Sequence, residues 1–300
     1  MDMKAHFEEL APQLYVLRAP FSTIWSAVYF VPGEESVLVD SCVEDASVDE
    51  CIIPALAELG VKPEDIKYLI NTHAHKDHAG GNGRFVELSG CKLAAYETCA
   101  DKLRNPLVYN RATRTVWPDY SPAPATYIPA NDPDVIVRDG DMLGDRLCVY
   151  YAPGHDTECI MLHDTKTNSL LTGDSLQGFG TLGVDGAGVA FYKDLPGYRY
   201  TLNKARELDV DNIIAGHDFS PMGFLAKGKE EVKLFLDICQ QATDLYECLI
   251  KRKLDEGVTD VAEIARYILN SIGAEEPPFL FMTMYTVDGH IKEIKAKKAE

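Results

Sequence analysis

The eight cysteines, at positions 42, 51, 91, 99, 148, 159, 239 and 248, include no CxxC pair. Scattered through mostly apolar segments, they do not read as a disulfide framework and are expected to be packed thiols in a reducing compartment. Long apolar runs are missing as well. Nowhere do 18 uncharged apolar residues follow one another, and the opening MDMKAHFEELAPQLYVLRAP has no run of signal-peptide length, so a cytoplasmic protein is expected. Positive charge is scarce: 29 Lys and Arg against 47 Asp and Glu give a formal net charge of -18, with no basic stripe before the tail KEIKAKKAE. Nucleic acid and anionic membranes are therefore excluded as expected partners. No internal repeat or low-complexity segment is present.

What remains is an ordinary globular composition, 46% hydrophobic and 25% charged over 300 residues, enough for one large layered domain with an appendage. Short strands are expected at QLYVLRA, SAVYFV and SVLVDS, followed by a helix at about 47 to 59 and the strand IKYLINT. GRFVEL then reads as helix and CKLAAY as strand. A segment rich in proline, tyrosine and arginine, about 101 to 134, is too irregular to be core. Strand signals resume in DVIVRDGDMLG, LCVYYAPGH, CIMLHD, SLLTGDSL and VDNIIAGHD, with one amphipathic helix at about 197 to 208. From Pro221 the pattern becomes helical, which places a boundary near residue 220 between a domain at 1–220 and a helical extension at 221–300.

The chemistry concentrates in LINTHAHKDHAGGNGRF. His73 and His75, two apart at a strand end, share one face, and Asp77 and His78 can turn back to the same volume. Gly80 and Gly81 are expected to let the backbone pass close to that spot, with Asn82 making local backbone hydrogen bonds. Packing so many titratable groups together is costly unless a cation compensates. Three further strand ends supply His155 in YYAPGHD, Asp174 in LLTGDSL and His217 in IIAGHDF. The seven nitrogen and oxygen ligands suit two adjacent metal ions. His6, His163 and His290 have no such neighbours in sequence and read as surface or satisfied core residues.

In this order, HxHxDH, GH, GD and GH, residues 10 to 220 resemble the metallo-beta-lactamase-fold hydrolases, which include glyoxalase II and the acyl-homoserine lactonases. The resemblance implies an α/β fold, a four-layered αββα sandwich with metals at one edge of the sheets. It implies that His73, His75 and His155 hold one metal and Asp77, His78 and His217 the other, with Asp174 bridging and Asp40 orienting a ligand from behind. The donor set suits two Zn²⁺ per chain, with Fe or Mn possible. Such a pair holds a hydroxide able to attack an ester-like bond, a thioester or lactone of a small molecule, with Asp77 as ligand and proton acceptor.

The competing readings on the same fold are a mononuclear iron, oxygen-dependent oxidoreductase of the persulfide dioxygenase type, a phosphodiesterase, and a non-catalytic metal-binding protein. The 101–134 segment, with Arg104, Arg111 and Arg114, is expected to roof the pocket together with part of the 178–198 loop, one arginine pairing with a substrate carboxylate; a solvated insert or a homodimer contact is the alternative. Tyr192 and Tyr198 are candidates for stabilising an oxyanion, or else packing residues.

Overall fold

The computed structural model describes residues 6–181 and 188–299, and it consists of two sheets packed face to face with helices on both outer sides. The first sheet runs in chain order: β1 (Phe7–Ala11), β2 (Leu14–Phe21), β3 (Ile24–Val31), β4 (Val37–Val39), β5 (Tyr68–Ile70), β6 (Lys92–Tyr96) and β7 (Val135–Val137). Its first four strands are antiparallel neighbours. From β4 to β7 the pairing is parallel, because helical crossovers rather than hairpins join those strands. The second sheet has the order β13 (Gly223–Lys227), β12 (Asn212–Phe219), β11 (Ser169–Gly173), β10 (Ile160–Asp164), β9 (Leu147–Tyr151) and β8 (Met142–Leu143), with only β11 and β12 parallel.

Three apolar layers explain why the chain adopts this order. Val16, Ala27, Val39 and Ile70 of the first sheet interleave with Val149, Leu162, Leu171 and Ile214 of the second to form the central core. On the outer side of the first sheet, Leu17, Val28 and Leu38 pack against Ile52, Leu56 and Phe85 from helical segments. On the outer side of the second, Met161, Leu170 and Ile213 pack under Leu202, Phe235, Ile268 and Val287. Alternate strand residues thus find apolar partners on both faces, the condition for a fully covered sheet.

The C-terminal part is continuous with this sandwich. Strand β13 pairs with β12, so the chain passes from sheet to helix at Gly228, beyond the expected boundary near 220. The helices Lys229–Asp255, Val261–Ile272 and Phe281–Ala299 bury their apolar faces in the same core layer as Leu195–Glu207. The segment expected to be irregular contains two helices, Glu97–Arg104 and Pro106–Arg114. Pro106 begins the second of these, where its missing N–H is no loss. All eight cysteines are free thiols; five are buried and Cys248 is exposed. No helix of the described residues is long and apolar enough to cross a membrane.

Candidate metal centre

Strand ends of both sheets meet at one edge. Strand β4 delivers Asp40 and β5 leads through Asn71 and Thr72 to His73. The backbone N–H of Asp40 donates to Ile70 O at 2.9 Å, and that of Ile160 in the second sheet donates to Thr72 O at 2.9 Å. His75 precedes the short helix Lys76–Ala79, which carries Asp77 and His78. His155 follows β9, Asp174 directly follows β11, and His217 lies near the end of β12. Each loop is held to another by main-chain bonds, so the imidazoles are placed by the sheets rather than by flexible tips.

The seven residues converge. Potential ligand atoms of His73, His75 and His155, of His73, His78 and Asp174, and of Asp77, His78 and His217 lie within 4.8 Å of one another in each group. Asp174 joins the halves: one oxygen is 3.6 Å from His78 Nε2, the other 3.6 Å from His155 Nε2 and 3.4 Å from His217 Nε2. Asp77 Oδ2 is 3.2 Å from His217 Nε2 and 3.4 Å from His78 Nε2. Gly216 is required by this closeness, since a Cβ there would stand 2.5 Å from Asp174 Oδ1 and 3.0 Å from His78 Cε1.

Hydrogen bonds on the far side of the rings fix which nitrogens face inward. His217 Nδ1 donates to the carbonyl of Trp25 at 2.5 Å, because a carbonyl only accepts, and His155 Nδ1 lies 2.9 Å from the carbonyl of Phe191 and 2.9 Å from Gln177 Nε2. His78 Nδ1 meets Asp40 Oδ2 at 2.8 Å. Rings so oriented bring ring nitrogens face to face, His78 Nε2 to His217 Nε2 at 3.3 Å and His155 Nε2 to His75 Nδ1 at 3.0 Å. Such pairs need a proton or a metal ion between them. Two nitrogens bound tetrahedrally at roughly 2.0–2.1 Å from zinc lie about 3.3 Å apart, so the spacing fits a divalent metal. Among the described residues, His73 Nε2 and Asp174 Oδ1 are buried with no hydrogen-bond partner, as ligand atoms awaiting an ion would be.

The charges in the metal-free cluster divide it. Burial, then the imidazoles of His78, His75 and His155, hold His73 well below the usual histidine range, and burial with His75 pushes His155 down to about 3. Against burial, Asp77, Asp174 and Asp40 raise His78 well above that range. His217 is raised to about 10, again against burial, by Asp174 and Asp77. The carboxyls respond in kind: against burial, His78 and His217 hold Asp77 well below the usual carboxylate range, and His217 and His78 do the same to Asp174. Asp40 goes the other way, because burial outweighs His78 and the Thr72 hydrogen bonds.

Asp40 lies where an orienting carboxylate should. It is fully buried, adopts a φ of 63°, and accepts from the Thr72 backbone N–H at 2.7 Å and hydroxyl at 2.9 Å besides meeting His78. Such a backbone conformation is unfavourable for a non-glycine residue and persists where the surroundings fix it. Gly80 and Gly81 serve a different approach from the one expected: a Cβ on either would strike the backbone of Val43 or Ser41, 2.0 and 2.2 Å away, rather than the histidines. Asn82 is buried in a side-chain network with Asn71 and Ser41 instead of bonding local backbone.

Tyr192 and Tyr198 are packed into the core. Both are 0% exposed in the core layer under the C-terminal helices. The Tyr192 hydroxyl bonds His290 Nε2 at 2.6 Å, and that of Tyr198 accepts from the Gln177 backbone N–H at 3.2 Å. Their helical neighbours cover them, which local sequence does not show. The three arginines also lie apart from the histidines' contacts. Arg104 is exposed and pairs with Asp132 at 2.6 Å, Arg111 is exposed, and Arg114 stacks over the Phe281 ring at 4.2 Å. The 101–134 segment nonetheless walls a cavity of about 430 Å³ beside Ala74 and Lys76, through Leu103, Tyr127 and Pro129. From the 178–198 loop, Phe191 packs edge-on to His155 at 5.0 Å; residues 182–187 of that loop lie outside the described residues.

Sequence reading missed Gln177. Its Nε2 donates to Asp174 O at 2.9 Å and its Oε1 accepts from Phe191 N–H at 2.7 Å, and the same Nε2 lies 2.9 Å from His155 Nδ1, so it stands between the loops bearing Asp174 and His155. The only local signal is its position three residues after Asp174.

The sequence profile of the metallo-beta-lactamase superfamily matches residues 26–217. An N-acyl homoserine lactonase from Bacillus cereus is 30% identical over 92 residues, covering 28% of this chain and 37% of that protein. A hydroxyacylglutathione hydrolase from Pelagibacter ubique is 27% identical over 143 residues, 47% of each chain. The chain thus spans under half the length of these two relatives. A crystal structure of a metallo-beta-lactamase family protein from Thermus thermophilus superposes with a TM-score of 0.71 at 21% identity, covering 96% of both chains.

Proposed function

The chain belongs to the metallo-beta-lactamase superfamily, and on that premise we propose that it is a zinc-dependent hydrolase holding two ions and cleaving a carbonyl ester, thioester or lactone of a small molecule. The observation that carries the reading is the convergence of all seven ligand residues with their inward nitrogens fixed. The names of the lactonase and of the hydroxyacylglutathione hydrolase support the carbonyl class. The net charge of -18 weighs against a polyphosphate or nucleic-acid substrate.

His73, His75 and His155 would hold one ion and Asp77, His78 and His217 the other, with Asp174 between. A bound pair of such ions supplies Lewis acidity and lowers the pKa of water towards neutrality. The chain's own residues do the rest. Asp77, whose Oδ2 lies 3.2 Å from His217 Nε2 and 3.4 Å from His78 Nε2, is placed both to serve as a ligand and to take a proton from the attacking water. Asp40 holds His78 in one tautomer through Nδ1. Phe191 keeps an apolar wall against His155 and limits water there.

The test is turnover by metal-loaded protein on matched thioesters, acyl lactones and phosphodiesters. Chelator-sensitive hydrolysis of a carbonyl substrate, abolished by His75→Ala, is expected. A preference for phosphodiesters, or turnover indifferent to chelator, would contradict the proposal.

A further inference from the structure

Beside the proposed ligands lies a second buried cluster that the mechanism above does not use. Asp156 and Glu158 are 5% and 0% exposed. Asp156 Oδ1 accepts from Lys102 Nζ at 2.5 Å and from the Thr157 backbone N–H at 2.8 Å, and Oδ2 accepts from Lys193 Nζ at 2.5 Å. Lys102 also donates to Glu158, whose other oxygen is 3.4 Å from the Ala74 backbone nitrogen. Two lysines thus neutralise two carboxylates. Oδ2 of Asp156 lies 3.4 Å from His75 Nε2, while His75 Nδ1 points inward to His155.

Buried ion pairs add little net stability compared with well-packed apolar residues, because desolvation offsets the attraction. A fold alone would not call for four charges here. Their geometry has another product: the members come from the Glu97–Arg104 helix, the loop before β10 and the segment after Phe191, they meet around Asp156, and Asp156 in turn faces the outer nitrogen of a single imidazole. Lys193 is tied in turn to Thr113 Oγ1 on the Pro106–Arg114 helix at 3.3 Å.

We propose that Asp156 is a positioning residue for His75, and that Lys102 and Lys193 hold its carboxylate in place. Facing Nε2–H, Asp156 makes Nδ1 the atom presented to the metal, as Asp40 does for Nε2 of His78 from the opposite side. The two helices of the 97–114 region therefore brace one metal site through these lysines. The inference rests on the metal-centre reading above.

The test uses the full chain, with Asp156→Asn and Asp156→Glu, titrated with Zn²⁺ and with Co²⁺ as a spectroscopic probe, and with urea midpoints measured on the metal-free proteins. In Asp156→Asn, affinity at the three-histidine site falls roughly 10–100-fold and the cobalt absorption band of that site shifts, while the other site keeps its affinity. Asp156→Glu, which keeps the charge, recovers part of the loss. Wild-type affinity and spectrum in Asp156→Asn would overturn the proposal, as would an equal weakening of both sites in step with the urea midpoint. If the Asp156 variants do not fold, Lys193→Gln takes their place, with the same two readings. A wild-type protein that takes up no metal would instead overturn the metal reading itself.

Discussion

Gly216→Ala adds a single methyl group at the most crowded point of the proposed centre. Its Cβ would stand 2.5 Å from Asp174 Oδ1, 3.0 Å from the Gly173 carbonyl carbon and 3.0 Å from His78 Cε1. Ordinary contact begins at about 3.4 Å, so Asp174 Oδ1 must retreat by about 0.9 Å, since neither the Gly173 backbone nor the Asp40-bound His78 has room to move instead. Metal–ligand distances tolerate only about 0.2 Å. The overpacking itself destabilises by roughly 1–3 kcal/mol, which a folded protein of this size survives. The expected outcome is a folded variant, with near-native circular dichroism and a lowered urea midpoint, that no longer retains two ions on gel filtration followed by elemental analysis. Wild-type metal content and affinity in Gly216→Ala would refute the placement of Asp174 between the ions.

Asp40→Ala removes the partner of His78 Nδ1 and leaves the buried Thr72 N–H unpaired; roughly 1–3 kcal/mol of stability and about 10–100-fold in metal affinity should be lost, read by denaturation and chelator competition. In the metal-free protein His78 and His217 are raised, the latter to about 10, so both carry protons at neutral pH, whereas His73 and His155 are neutral. Loading the Asp77, His78 and His217 site must therefore release protons, and its affinity should weaken more steeply on acidification than that of the three-histidine site; calorimetry in buffers of different ionisation enthalpy counts the protons, and a pH-independent second site would contradict this. Tyr192→Phe deletes a buried hydroxyl bonded to His290 and should lower stability by about 1 kcal/mol with kcat and KM unchanged; a selective fall in kcat would return Tyr192 to the chemistry.

The seven clustered histidines and aspartates were legible because each is announced locally. His73 to His78 share one short stretch at a strand end, and His155, Asp174 and His217 each follow an apolar run and a glycine. The two-sheet fold was legible for the same reason, since strand periodicity is local. Asp156, Gln177 and the lysines were not, because their roles exist only between segments far apart in the chain, such as Lys102 and Asp156. For Tyr192 and Tyr198 the sequence left two readings open, oxyanion group or packing residue, because the C-terminal helices that cover them lie far away in the chain. The final helix, Phe281–Ala299, falls inside the expected helical extension but was not delimited in it, because its buried Met284, Val287 and Ile291 are interleaved with polar residues that are themselves buried, Thr283, Thr286 and His290.

The most direct measurement is the metal content of the purified, metal-reconstituted protein, taken together with its ester hydrolysis before and after chelation. About two divalent ions per chain, with activity lost on chelation and restored by zinc, is the predicted result. A single iron per chain supporting oxygen consumption, or no retained metal, would contradict the central claim.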